Sequence, residues 1–328
     1  SFVFLEQAQW EKPRKFTNSG SNADLRHISA IAYYISLPFL HGLAALPMRA
    51  LYLLSDLLYV ILFRVAGYRR KVVRKNLRNS FPEKNANELL RLEKAFQHWF
   101  CDLVLETLKT LRISPKQVER LVKVEGEEVL HRYFEQGRSI ILVMGHWGNW
   151  ELGGARFSQL PYQKLNVIYH PLQEPHFNEL VIRMRTRLGN GLYPMREAAR
   201  MMLRDRDKGT ATAFIADQTP SPETAYWTTF LGQQTPVFRG PGKLSKRFGM
   251  PIVYLGIDRT RRGHYIMRFE DLVPDPALLE EDTITELHVR RLEQDIRKRP
   301  EIWLWSHRRW KHPPPANSPS EQSEAIAP

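Results

Sequence analysis

Cysteine is almost absent: the 328 residues contain one, Cys101. That excludes an internal disulfide and any zinc site built on several thiolates, and it suits a reducing compartment. The HExxH pattern is missing and no His/Cys group has metal-ligand spacing, so neither a metal nor another cofactor is expected. No G-x-S-x-G segment supplies a serine-hydrolase nucleophile. Helix-turn-helix, zinc-finger and RNA-recognition signatures are lacking too, and there is no internal repeat. Acidic residues fall short of basic ones, 35 against 48, for a net charge of +13. The surplus suits an anionic partner, whether nucleic acid, an acidic membrane surface or an acidic protein, and by itself does not choose among them.

Charge is also missing locally. From Ile28 to Pro47 there is no Asp, Glu, Lys or Arg. A membrane-spanning helix needs roughly 20 apolar residues, so this stretch is just long enough, although Pro38, His41 and Gly42 weaken it. A second apolar stretch, Ala50–Phe63, carries only Asp56, and Arg64, Arg69, Arg70, Lys71, Arg74, Lys75 and Arg78 follow it. Basic residues after an apolar stretch mark the cytoplasmic side or an anionic-lipid contact. The pattern predicts one hydrophobic anchor, with the second stretch interfacial or re-entrant. A pair of buried core helices is the alternative. Four regions follow: a loop-like lead over 1–24, membrane-anchoring and interfacial helices over 25–83, a catalytic domain over 84–312, and a tail over 313–328 with the composition of disorder.

Within 84–111, Leu89, Leu92, Phe96, Phe100, Val104 and Leu108 recur at three- and four-residue intervals, which predicts an amphipathic helix. Beyond Pro115, strand-like segments (LVKVEG, SIILVM, LNVIY, LYPM, TATAFIA) alternate with helix-like ones. That alternation predicts an α/β fold: a mostly parallel central sheet flanked by helices. SIILVM, apolar on both faces, reads as a central strand. PIVYLGIDR and HYIMRFEDL read as an antiparallel pair turning at Arg261–Gly263, Thr283–Arg299 as a helix, and Ile302–Trp305 as a last short strand.

The most informative segment is Met144-Gly-His-Trp-Gly-Asn-Trp-Glu151. It places His146 at the carboxyl end of the central strand, where open α/β sheets hold ligands. Gly145 and Gly148 permit a sharp turn. A separation of five suits a loop histidine facing Glu151 in the first turn of the next helix, with the carboxylate holding one ring nitrogen and the other free to take a proton. The plainer reading is a packed histidine and a helix-capping glutamate.

A histidine and an acidic residue with four residues between them resemble the mark of the glycerolipid acyltransferase superfamily. Three further segments are similar to its lipid A late acyltransferase branch, the lauroyl and myristoyl transferases: Phe214-Ile-Ala-Asp-Gln218, Thr229-Phe-Leu-Gly232 with Pro236, and Pro300-Glu-Ile-Trp-Leu-Trp-Ser-His-Arg-Arg-Trp-Lys311. Leu51–Pro82 resembles that branch as found in Bacteroidetes-like bacteria. The resemblance spans roughly 30–312 and implies a glycerolipid-acyltransferase-like fold. It implies acyl carrier protein as thioester donor, a lipid A precursor as acceptor, and the cytoplasmic face of the bacterial inner membrane. His146 would be the general base and Glu151 its orienting partner. The tetrahedral oxyanion would be met by backbone N–H groups of the glycine-rich turn or by an arginine. Asp217, Gln218, Arg185, His170 and Asn149 form the expected substrate-binding set, with Arg183 and Arg187 competing with Arg185. Relatives often read Tyr-Arg-Pro where this chain has Tyr169-His170-Pro171, so His170 stands where they carry an arginine.

Three rival functions remain. A lysophospholipid or ornithine-lipid acyltransferase would use the same dyad, and a thioesterase would use water. A basic nucleic-acid-binding protein would explain the charge and the Trp303–Lys311 run, but not the uncharged segment or the glycine-flanked histidine. The resemblance favours acyl transfer and no nucleic acid. That C-terminal run, with tryptophans beside cations, suits a bilayer interface, or equally a buried edge with a solvated basic end.

Overall fold

The strands are β1 (Val122–Glu125), β2 (Ile140–Met144), β3 (Lys164–Tyr169), β4 (Gly191–Pro194), β5 (Thr210–Ile215), β6 (Tyr226–Phe230), β7 (Gln233–Val237), β8 (Ile252–Arg261) and β9 (His264–Val273). In the computed structural model, which describes residues 21–314, seven of them form one sheet in the order β1-β9-β8-β2-β5-β3-β4. The lead expected over 1–24 lies outside the described residues as far as residue 20, and the tail lies outside them from residue 315. Strands β8, β2, β5, β3 and β4 run parallel, while β9 pairs antiparallel with β8 and carries β1 with it. The sheet is mostly parallel, as the alternation predicts. All five residues of β2 are buried between β8 and β5, which accounts for a strand apolar on both faces.

Two elements differ from expectation. The stretch after Arg299 forms a 3₁₀ turn, Pro300–Ile302, and keeps only one bridge, Trp147 to Trp303, because Trp303 and Trp305 turn into the core. Between Tyr226 and Val237 lies a separate hairpin, β6–β7, that polar Thr and Gln positions conceal in the sequence. Its tight turn places Leu231 and Gly232 at φ of 51° and 73°.

The helices are α1 (Ser21–Ala45), α2 (Met48–Tyr59, continued by a π turn Val60–Val65), α3 (Arg70–Ser80), α4 (Ala86–Lys109), α5 (Pro115–Leu121), α6 (Glu127–Glu135), α7 (Trp150–Phe157), α8 (Pro175–Thr186), α9 (Ala198–Asp205), α10 (Gly240–Phe248) and α11 (Glu281–Lys298). Helix α4 starts in a reciprocal cap: Asn85 accepts from Asn87 and Glu88, and Glu88 accepts from the Asn85 N–H. It is buried well beyond the predicted apolar stripe, because α2 and α3 pack on it opposite the sheet. Buried carboxylates on it are therefore paired: Glu93 with Arg74, and Asp102 with Ser55, Arg259 and Arg262.

Among the described residues no single helix is long and apolar enough to cross a membrane. Helix α1 contains Asp24, Arg26 and Pro38 and carries most of the uncharged stretch that begins at Ile28. The pair Met48–Val65 and Arg70–Ser80, bent by 89°, passes only by length and composition. Leu51, Tyr59, Phe63, Val73 and Leu77 from this region join the main hydrophobic core. Tyr34, Ile35, Phe39, Leu53, Leu57, Ile61 and Val65 stay exposed.

Candidate active site

Strand β2 ends at Met144 and delivers Gly145 and His146 to the carboxyl edge of the sheet. Strand β5 lies beside it, parallel, with Met144 opposite Ile215. Two residues beyond each strand end come His146 and Asp217, so register brings together side chains 71 positions apart. At Gly145 a Cβ would stand 3.0 Å from Asp217 Oδ2 and 2.6 Å from Leu292, so a side chain there would have to displace Leu292. Gly148 has φ +75°, and a Cβ on it would fall 1.8 Å from the Ile257 carbonyl oxygen.

The carboxylate that holds the imidazole is that of Asp217. His146 Nδ1 lies 2.6 Å from Asp217 Oδ1, and the His146 backbone N–H donates to Oδ2 at 2.7 Å. The Trp303 indole N–H also donates to Oδ2, at 2.7 Å. Burial by itself raises the Asp217 carboxyl, but the His146 charge and these hydrogen bonds hold it down to about 2. An anion that can only accept fixes the Nδ1–H tautomer and leaves the Nε2 lone pair toward the Gln218 amide, 3.3 Å away. The Trp150 ring meets the imidazole edge-on, with centroids 4.7 Å apart.

This corrects the dyad read from the sequence. Glu151 sits in the first turn of α7, and its carboxylate is gripped by Arg185 of α8, with Nε 3.1 and 3.2 Å from the two oxygens and Nη2 at 2.5 Å. The Arg185 fork expected on phosphate is thus placed on Glu151. Asp217, assigned to the acceptor pocket, instead holds His146. Asn149, also expected at the substrate, has no exposed surface, caps α7 through the Leu152 N–H, and donates to Glu106. Of the competing arginines, Arg183 pairs with Glu179, and Arg187 donates to the Thr110 and Ile113 carbonyls. Two of the turn's N–H groups expected for an oxyanion are engaged, His146 by Asp217 and Gly148 by Ile302.

His146, Tyr169, His170, Arg185, Gln218 and Phe238 line a half-open cleft. Val167, Ile215 and Arg185 are shared with a second, mostly apolar pocket walled by Met144, Ala155, Leu165, Met184 and Leu188, with Glu151 and Asn190 also on its lining. The sequence-predicted residues His146, His170, Arg185 and Gln218 therefore meet in one cleft, with Asp217 behind it. The C-terminal run, which suits a bilayer interface or equally a buried edge with a solvated basic end, is buried: Trp303, Trp305 and Arg309 are enclosed, and the Trp303 bond to Asp217 is the part its composition does not show. The profile of bacterial lipid A biosynthesis acyltransferases matches residues 19–312.

The chain belongs to that family. Among curated proteins, a lipid A biosynthesis palmitoleoyltransferase of Escherichia coli (strain K12) is 26% identical over 259 residues, covering 76% of this chain and 81% of that protein. A lipid A biosynthesis lauroyltransferase of the same strain is 25% identical over 277 residues, covering 82% and 88%. As a member of the family the protein is an acyltransferase of lipid A biosynthesis, and its acceptor is a lipid A precursor.

Proposed function

We propose that the enzyme moves a fatty acyl chain from acyl carrier protein to a hydroxyl of the lipid A precursor, with His146 as general base and Asp217 as the group that orients it. The observation that carries this reading is the 2.6 Å bond between Nδ1 and Asp217, which leaves Nε2 facing the cleft. The acceptor hydroxyl gives its proton to Nε2 as its oxygen attacks the thioester carbonyl. The tetrahedral oxyanion then collapses, the C–S bond breaks, and the imidazolium returns the proton to the departing thiolate, so no covalent acyl-enzyme is needed. Gln218, beside Nε2, is placed to donate to the oxyanion. The apolar second cavity suits the acyl chain. His170 brings an imidazole to the cleft wall, where it can meet a polar group of the acceptor.

The site works at the cytoplasmic face of the inner membrane in this reading. Support comes from the apolar faces that α1 and α2 leave exposed and from the exposed Lys71, Arg74, Lys75 and Arg78 of α3 beside them. A bacterium lacking its late acyltransferase, complemented with this chain, tests the proposal. Lipid A should gain one acyl mass with the wild type and none with His146→Ala at equal protein level. Acylation of another lipid in place of lipid A would refute the acceptor.

A further inference from the structure

Glu106 lies in the last turn of α4, fully enclosed, where three other elements converge. Its Oε1 accepts from the Tyr52 hydroxyl of α2 at 2.9 Å. Its Oε2 accepts from the Tyr265 hydroxyl of β9 at 2.6 Å and from the Asn149 amide at 2.7 Å. Asn149 faces two ways: Nδ2 is held by Glu106, and Oδ1 accepts from the Leu152 N–H at 3.0 Å to start α7. With a carboxylate on one side and an N–H on the other, the amide has one orientation. A buried carboxyl with three donors is expensive to keep for packing alone, since an apolar residue fills space at less desolvation cost. What this one holds is the last residue of the turn that begins at Gly145 and carries His146.

We infer that Glu106 is a positioning residue for His146, acting through Asn149 on the Gly145–Asn149 turn. The inference rests on the general-base reading above. Trp147 and Gly148 of the turn are tied to the backbone at Arg299 and Ile302, and Asn149 is tied to a side chain, so a polarity change there can be made and then reversed.

Asn149→Asp preserves the oxygen that caps α7 but sets one carboxylate against another. Adding Glu106→Gln supplies an amide donor and restores the hydrogen bond with its polarity inverted. With purified full-length enzyme, acyl carrier protein thioester and lipid A precursor, Asn149→Asp should lower kcat by about 100-fold, leaving the donor KM within about twofold. The double variant should recover at least about tenfold of that loss. Glu106→Gln alone should lower kcat at unchanged KM. The inference is overturned if Asn149→Asp keeps the wild-type kcat, or if the double variant is no better than Asn149→Asp while both melt like the wild type. If Asn149→Asp does not fold, Glu106→Gln decides, and an unchanged kcat overturns the inference. Full turnover by His146→Ala overturns the base reading and this inference together. An inactive His146→Ala without rescue in the double variant overturns this inference alone.

Discussion

At His146 the decisive partner is set by strand register and not by distance along the chain. Glu151 is five residues away but starts a helix that turns it toward Arg185. Asp217 is 71 residues away, yet the parallel pairing of β2 and β5 puts the two strand ends side by side. The sequence shows both His146 and Asp217 as strand-end residues and hides their pairing, because pairing is a property of the sheet. Glu106 is hidden for a related reason: on a helix read as amphipathic, a polar position is assigned to solvent until α2 covers it. Asp217→Asn should therefore lower kcat roughly 10²- to 10⁴-fold, since it removes the charge that stabilises the imidazolium. Glu151 and Arg185 should behave as one unit. Glu151→Gln and Arg185→Met should each cut kcat/KM, and the double variant should be no worse than the poorer single, as a double-mutant cycle would show. Additive losses would mean the two side chains work separately.

At the scale of elements, β2, β5, the β8–β9 pair and α4 were legible because their periodicities are strong. The β6–β7 hairpin and the C-terminal turn were not, because tertiary burial overrides local composition there. The turn after β2 depends on backbone freedom at Gly148. Gly148→Ala should destabilise the protein by more than about 2 kcal/mol in urea unfolding, as strain at positive φ adds to a clash with the Ile257 carbonyl. Helix α2 has two working faces. Leu51 and Ser55 are buried and Tyr52 bonds inward to Glu106, while Leu53 and Leu57 point outward, 72% and 55% exposed. Leu53→Glu with Leu57→Glu should weaken binding to anionic vesicles by at least about tenfold, judged from the apolar area lost. Unchanged co-sedimentation would remove this face from the account of membrane binding.

For the whole molecule, buried titrating groups set the response to acid. Burial pushes the imidazoles of His288 and His307 down to about 4 and about 3, with the Arg309 charge adding to the effect at His307. The unfolded chain takes up those protons near pH 6.5, while the folded enzyme resists until pH 4 or below. Protons therefore favour unfolding across that window, and stability falls as the pH drops from 6.5 toward 4, by about 1.4 kcal/mol per pH unit for each group. Asp217, held at about 2, adds stability above pH 4 that is lost below it. Urea midpoints should decline as the pH falls below 6.5, and His288→Leu should reduce that slope by about half. The central claim is that His146 takes the acceptor's proton while Asp217 holds it. Lipid A mass spectrometry of an acyltransferase-deficient bacterium carrying the wild type, His146→Ala or Asp217→Asn, at matched protein levels, tests it most directly. The account predicts one added acyl mass with the wild type, none with His146→Ala and only traces with Asp217→Asn. Wild-type acylation by either variant would contradict it.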